Sequence, residues 1–308
     1  MNGMLKSLCF VAMTGMTIAG ALADPVGPSQ APVIETQDVD RFFRIYDAAG
    51  GHPSAEQLQR DYLDAGSEGL HILARLRGVT GQRIADKIAA QPSLYSNARR
   101  CAAALPASRA RLAVALGRLR RLYPAAKLPP VTIVIGRGKP VGVGSPVTGL
   151  QIGLEALCGV TYFDPAPADR FVHVIAHEYV HVQQSRDLAD DAHPTVLEVS
   201  LIEGAAEFIG EMISGGVSYP QLRSTMRGHE AEIERAFVAD EDSRDLSKWL
   251  YNGTIDRPGD LGYGVGYRIV KSYYRHARSK PAAIREIIEM NDPKAFLAKS
   301  GWRPGAVL

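Results

Sequence analysis

The spacing of apolar positions along the chain predicts mostly helices, with two short strands near the middle. Apolar residues recur at helical intervals through most of the chain, and Gly or Pro separates the segments. The predicted helices cover residues 36–49, 54–64, 67–77, 80–90, 93–104, 107–123, 168–186, 195–214, 219–237, 262–278 and 281–299. The runs 131–135 and 150–157 predict strands, and the Gly- and Pro-rich passage 136–149 lies between them. The expected fold class is therefore α+β, mostly helical, with a small sheet.

A change of character at Pro129-Pro130 predicts a boundary inside the chain. Residues 33–128 form a helical region in which we find no chemical motif. Residues 129–308 hold both predicted strands and every motif described below. We therefore expect an N-terminal helical region followed by a second domain that carries the chemistry.

The first 32 residues differ in composition from the rest of the chain. Lys6 precedes the apolar, small-residue run 8–22, and Ala21-Leu22-Ala23 has the small-x-small pattern of a cleavage site. We expect residues 1–23 to be a signal peptide cut after Ala23, residues 24–32 to be a mobile leader, and the mature protein to be secreted or periplasmic. An uncleaved membrane anchor is the alternative, but the run is shorter than the roughly 20 apolar residues that cross a bilayer.

Composition and charge narrow the class of protein without naming a reaction. The 308 residues are 46% hydrophobic and 22% charged, which is ordinary for a globular protein with a sizeable core. The formal net charge of +2 indicates no nucleic acid as partner. The expected mature chain keeps two cysteines, Cys101 and Cys158, which form either one disulfide or two buried thiols.

The pentapeptide His177-Glu178-Tyr179-Val180-His181 is the most specific motif in the chain. It matches H-E-x-x-H, and no Gly or Pro interrupts residues 171–186, which predicts that it lies on a helix. Residues four apart stand on one helical face, so both imidazoles can bind one zinc ion. Glu178 then leans beside the metal and can take a proton from water there. The alternative is a surface helix with two histidines, but valines and Ile175 surround the motif.

A catalytic zinc needs a third protein ligand, and the next predicted helix supplies candidates. The subclass with a third histidine six residues after the second is excluded, because residues 184 and 187 are Gln and Asp. Glu203 is the preferred ligand, since it lies in a largely apolar stretch where a carboxylate is costly without a cation. Glu207, one turn later, could orient a ligand histidine. Glu198 and Glu211 compete for the ligand role, and Glu203 could also be an ordinary surface residue.

Glycine and alanines next to Glu203 predict a close helix crossing. Gly204 and the alanines after it, Ala205 and Ala206, have little or no side chain. We expect them to let this helix approach the helix of His177. Such an approach would bring the carboxylate to the two histidines.

These motifs together resemble the DUF2268 group of predicted zinc-dependent proteases. The resemblance rests on HEYVH, on Leu-Ile-Glu-Gly-Ala-Ala-Glu-Phe at residues 201–208 and on Gly-Tyr-Gly-Val-Gly-Tyr-Arg at residues 262–268, and covers roughly residues 130–275. The group is similar in turn to gluzincin peptidases, in which HExxH is completed by a glutamate on the following helix. The resemblance implies a zincin-like fold for residues 129–308, a Zn²⁺ cofactor held by His177, His181 and Glu203, and a strand over 152–157 beside the cleft.

Three residues are candidates for stabilising the oxyanion of an amide hydrolysis. Tyr263 is preferred, because it follows Gly262 at a predicted helix start. Tyr267 lies one turn later, and His229 is a further possible donor. The alternative is that Tyr263 and Tyr267 belong to an apolar stripe of helical spacing, which is more often core.

The leading hypothesis is a zinc metallopeptidase acting on a peptide or protein substrate. Glu178 would deprotonate water at the metal and pass the proton to the leaving amine. One alternative is a non-catalytic exported binding protein with a structural zinc, which needs a fourth ligand, for which Cys158 is the nearest candidate. Another is a zinc amidase acting on cell-wall substrates, which would use the same residues.

Overall fold

Helices dominate the computed structural model, which describes residues 33–139, 141–145, 147–161, 163–189, 191–254 and 259–308. The described chain is 62% helical and has one small mixed sheet, in agreement with the expected α+β class. The predicted signal peptide and leader, residues 1–32, lie outside the described residues. None of the helices within the described ranges has the length and apolarity needed to cross a membrane.

Fifteen helices and four strands are present in the described residues. The strands are β1 (Ile34–Glu35), β2 (Val131–Val134), β3 (Gly142–Ser145) and β4 (Gly149–Gly153). The helices are α1 (Gln37–Ala48), α2 (Ala55–Gln57), α3 (Glu68–Arg77), α4 (Gly81–Ala90), α5 (Pro92–Ala102), α6 (Leu105–Leu122), α7 (Leu154–Gly159), α8 (Pro167–Gln183), α9 (Arg186–Ala189), α10 (Val196–Ser214), α11 (Pro220–Met226), α12 (Glu230–Asp240), α13 (Leu261–His276), α14 (Lys280–Ile288) and α15 (Pro293–Lys299). A π-helical turn, Leu58–Leu63, continues α2.

The sheet has the strand order β1-β2-β4-β3. β1 and β4 pair with β2 in parallel, whereas β3 pairs with β4 antiparallel and lies at the edge. The Gly- and Pro-rich passage 136–149, in which no strand was predicted, contains β3. Glycines at both ends of its Gly-Val-Gly sequence obscured the strand, since glycine is depleted in strands.

The predicted strand over 150–157 is correct only as far as residue 153. β4 ends at Gly153, and Leu154 begins α7. The Glu155 side chain is fully buried, where it accepts hydrogen bonds from the backbone N–H groups of Gly136 (2.9 Å) and Gly138 (2.8 Å). These bonds give the buried carboxylate its partners and fasten α7 beneath the sheet.

The predicted helix over 219–237 is two helices, α11 and α12. Gly228 lies between them with a φ of +82°, a conformation that ends a helix and that glycine adopts readily. Helix α8 likewise ends at Gln183 rather than at residue 186, because Gln184 has extended backbone. This early end places the Gln184 side chain at the predicted metal site.

One core unites the described helices and the sheet, which form a single compact unit. Helix α10 is the central element, and it packs against α8, α13 and α6. Fifteen of its 19 residues are buried, in agreement with a helix that is apolar nearly all round. A capping box, in which Thr195 and Glu198 bond to each other's backbone N–H groups, begins this helix.

Cys101 and Cys158 form a disulfide, with their Cα atoms 6.1 Å apart. The bond joins α5 of the predicted N-terminal region to α7, which follows the sheet. Of the two alternatives for these cysteines, the structure therefore contains the disulfide.

Candidate metal centre

The two histidines of the HEYVH motif lie one turn apart on α8 and point at the same place. His177 is buried and His181 is half-buried, and their Nε2 atoms are 3.0 Å apart. The helix surrounding them is almost entirely buried, as the valines in the sequence predicted. Close packing on α10 supports this arrangement, because a Cβ at Gly210 would stand only 3.3 Å from the Cα of His177.

Glu203 reaches the same place from α10. Its Oε2 lies 3.3 Å from Nε2 of His177 and 3.2 Å from Nε2 of His181. The potential ligand atoms of the three residues all lie within 4.8 Å of one another, and this group could hold a metal ion. The competing glutamates lie elsewhere: Glu198 caps the start of α10, and Glu211 binds Arg223 and Tyr267.

The helix contacts around Glu203 differ from those expected from sequence. A Cβ at Gly204 would stand 2.1 Å from the backbone carbon of Gly266, so Gly204 faces α13. The prediction that Gly204 brings α10 against the His177 helix was therefore wrong. Gly210, two turns further along α10, makes that approach.

Two side chains determine which imidazole nitrogens carry protons. Glu207 Oε1 lies 3.0 Å from Nδ1 of His177, and Ser218 donates its backbone N–H (3.0 Å) and its hydroxyl to the same carboxylate. Gln184 donates to the carbonyl of Ile202 (2.7 Å), which leaves its Oε1 to accept from Nδ1 of His181 at 2.7 Å. Both Nδ1 atoms are therefore the protonated ones, and both Nε2 lone pairs face the Glu203 carboxylate.

The donor set fits a zinc ion. Two lone pairs and a carboxylate oxygen repel one another unless a cation or a proton lies among them, and Glu203 Oε2 is buried without a hydrogen-bond donor. Ligand atoms 2.0–2.2 Å from a tetrahedral zinc stand about 3.3–3.6 Å apart, close to the 3.0–3.3 Å separations here. Burial raises the pKa of Glu203, but where a proton rather than a metal lies among these groups, the charged histidines lower it well below its usual range. Glu203 is then already the charged carboxylate that a cation requires.

Glu178 is half-buried beside the histidines, against strand β3. A Cβ at Gly142 would stand 2.4 Å from its Oε1, and one at Gly144 would stand 2.8 Å from its backbone oxygen. Burial raises the pKa of the Glu178 carboxyl, while His181 and His177 oppose that shift. A carboxylate with a raised pKa in this position is suited to exchange protons with water.

A cavity of about 650 Å³ is lined by the three potential metal ligands and by Glu178. Its wall includes edge strand β3, Arg77 at the end of α3, and three tyrosines, Tyr219, Tyr251 and Tyr263. The helical region before residue 128 therefore contributes to the cavity, which sequence did not predict. A smaller cavity of about 190 Å³ shares Tyr263 with the first and is lined by Tyr267 and Arg223.

The three oxyanion candidates lie at different places. The Tyr263 ring is nearly parallel to the His177 ring, with centroids 6.2 Å apart, and is buried. The Tyr267 hydroxyl bonds to Glu211 at 2.5 Å and accepts from Arg223 at 2.8 Å, outside the cavity of the metal ligands. His229 is an exposed residue at the start of α12, 3.9 Å from Glu232.

Sequence reasoning missed Gln184, Ser218, Tyr251 and the two glycines of β3. Gln184 lies three residues after His181, and this helical spacing was an available signal. Ser218 and Tyr251 come from loops far along the chain from the motif, so no local spacing could have indicated them.

Comparison with known proteins relates one segment of the chain to a described family. Searches of curated proteins and of solved structures gave no match. The family model of DUF2268, described as "Predicted Zn-dependent protease", matches residues 159–295, which include the HEYVH helix, Glu203 and α13. The resemblance seen in the sequence is therefore confirmed for residues 159–295, the segment that is similar to the DUF2268 model.

Proposed function

We propose that this protein is an exported zinc metallopeptidase with a zincin-like, gluzincin-type centre. The observation that carries the proposal is the convergence of both Nε2 lone pairs with the unpartnered Oε2 of Glu203, next to a half-buried Glu178. His177, His181 and Glu203 would hold Zn²⁺, which would acidify water and polarise a substrate carbonyl.

Glu178 acts as the general base and then as the general acid. Its carboxylate removes a proton from the attacking water and delivers it to the nitrogen of the leaving amine. Glu207 and Gln184 hold the imidazoles in the tautomer that leaves Nε2 free. The hydrolysis of one amide bond consumes one water, and the proton taken by Glu178 appears on the amine product.

Strand β3 supports a peptide as the substrate. It is the edge strand, its outer side has no strand partner among the described residues, and its residues line the cavity of Glu178. An extended peptide can add to such an edge through backbone hydrogen bonds. This contact requires a polypeptide backbone and so favours peptides over other amides.

The disulfide weakens the alternative of a structural zinc. A closed structural site requires a fourth protein ligand, and Cys158 is engaged with Cys101. Within the described part of the chain, the group that could hold a metal contains three residues only. An open position at the metal is what a catalytic site requires.

Glu178→Gln and Glu203→Ala test the proposal together. We expect Glu178→Gln to retain stoichiometric zinc and to lose turnover of a peptide library by about 10²- to 10⁴-fold, because only the proton carrier is removed. Glu203→Ala should lose zinc in elemental analysis, whereas Glu232→Ala, whose side chain is 81% exposed, should keep both zinc and activity. Zinc without hydrolysis of any peptide by the wild type, or cleavage of cell-wall amides alone, would overturn the peptidase assignment.

Export is a separate part of the proposal. A disulfide persists mainly in oxidising compartments, and residues 1–23 have the pattern of a signal peptide. We expect the mature protein outside the cytoplasm to begin at Asp24. Mass spectrometry of the exported chain checks this, and retention of residues 1–23 would contradict it.

A further inference from the structure

Tyr251 has a backbone conformation that is unusual for a tyrosine. Its φ is +57°, and Asp260 is the only other non-glycine residue with positive φ in the described ranges. Residues with a large side chain rarely occupy the left-handed region, and such strain is concentrated at functional sites. The conformation therefore requires an explanation from the surrounding structure.

A set of hydrogen bonds maintains this conformation. The Asn252 N–H donates to Asp260 Oδ1 at 3.1 Å, and the Asp260 N–H donates to Asn252 Oδ1 at 2.7 Å. The Asn252 amide also donates to the carbonyls of Ser247 and Lys248. Before Tyr251 in the chain, Trp249 and Leu250 are buried in the core. Tyr251 is thus held from both sides.

This backbone conformation places the Tyr251 side chain at the cavity that the potential metal ligands line. Tyr251 is 67% exposed, yet it lines the cavity together with His177, Glu178 and Glu203. No hydrogen-bond partner for its hydroxyl occurs among the described residues, whereas the Tyr267 hydroxyl is bonded to Glu211. A hydroxyl that is free and accessible in this cavity is available to a substrate.

The Tyr251 hydroxyl is a hydrogen-bond donor at neutral pH, as an ordinary tyrosine is. Partial enclosure in the cavity raises the pKa of Tyr251, and the negative charges of Glu203 and Asp260 raise it further. The phenol therefore stays protonated at neutral pH. Tyr263 is placed for another task, because its ring lies parallel to and beside the His177 imidazole.

We propose that the Tyr251 hydroxyl donates a hydrogen bond to the substrate carbonyl oxygen as that oxygen gains negative charge. This inference rests on the proposed peptidase function and replaces Tyr263 as the oxyanion candidate. The backbone that carries Tyr251 is held in place before substrate binds, and a donor whose position is set in advance stabilises developing charge effectively. Tyr263 instead positions His177 through ring packing.

Tyr251→Phe in the full zinc-loaded protein tests this inference. We expect kcat to fall by about 10²- to 10³-fold, because the lost contact forms mainly in the transition state. KM, zinc content and the unfolding midpoint should stay near wild type. Affinity for a phosphinic peptide, which mimics the tetrahedral oxyanion, should fall by a similar factor, while affinity for the product peptide should not change.

Tyr274→Phe is the matched control, since Tyr274 lies on α13 and outside the residues that line the cavity. It should behave as wild type in every measurement. A Tyr251→Phe variant with wild-type kcat and wild-type affinity for the phosphinic peptide would overturn the inference about Tyr251. The peptidase proposal would still stand in that case, provided that the wild type is active and Glu178→Gln is not. A zinc-loaded wild type without peptidase activity would overturn both.

Discussion

Gly142 shows how a single residue can determine the position of Glu178. The residue is a glycine because a Cβ there would stand 2.4 Å from Glu178 Oε1 and 2.6 Å from Cδ. The HEYVH motif identified Glu178, but sequence alone could not show what encloses it, because the contact joins residues 36 positions apart through the sheet. The two glycines that obscured β3 in the sequence are the residues that allow this strand to approach Glu178.

We expect Gly142→Ala to lower peptide turnover by at least about tenfold, because the new methyl group displaces the Glu178 carboxylate, and small misplacements of catalytic groups are costly. Zinc content should be unchanged, since the ligands lie on α8 and α10. Steady-state kinetics with elemental analysis measures both. Full activity in this variant would show that the carboxylate does not need its present position.

Helices α10 and α13 cross where both have glycine. A Cβ at Gly204 would stand 2.1 Å from the Gly266 backbone, and a Cβ at Gly266 would stand 1.7 Å from the Ser200 carbonyl oxygen. The crossing brings α13, which carries Tyr263, against the helix that supplies Glu203. Sequence showed that Gly204 marks a close approach, but it did not show which helix approaches.

Gly204→Ala should destabilise the fold by about 3 kcal/mol, the upper end for overpacking, because backbone atoms cannot move aside as a flexible side chain can. Gly117→Ala is the control: on α6 its new methyl group meets only the Arg121 guanidinium, at 3.7 Å. That variant should gain up to about 1 kcal/mol from helix propensity. Urea unfolding of both variants measures the difference, and equal stabilities would argue against the crossing.

On the scale of the whole molecule, a covalent bond and a shared core join the regions before and after residue 128. The disulfide links residues 57 positions apart, and β1 of the N-terminal region pairs with β2. Arg77 adds a side chain from that region to the cavity wall. The N-terminal helices are thus part of the structure that forms the candidate site.

Reduction of the disulfide should lower the free energy of unfolding by about 4 kcal/mol, the loop-closure estimate for a separation of 57 residues. Denaturant unfolding with and without reductant measures this change. The double variant Cys101→Ser with Cys158→Ser should match the reduced wild type and should not respond to reductant. Identical unfolding of the oxidised and reduced wild type would contradict the prediction.

The sequence by itself determined the features that depend on local spacing. Helical periodicity, the i and i+4 histidines and the following Glu203-containing helix are all encoded within short segments, so the α+β class and the ligand candidates could be read directly. Tertiary structure decided the contacts between distant segments: Gln184 on His181, Ser218 on Glu207, and Tyr251 in the cavity. These contacts depend on how helices and loops pack, and packing depends on many weak interactions that no local pattern specifies.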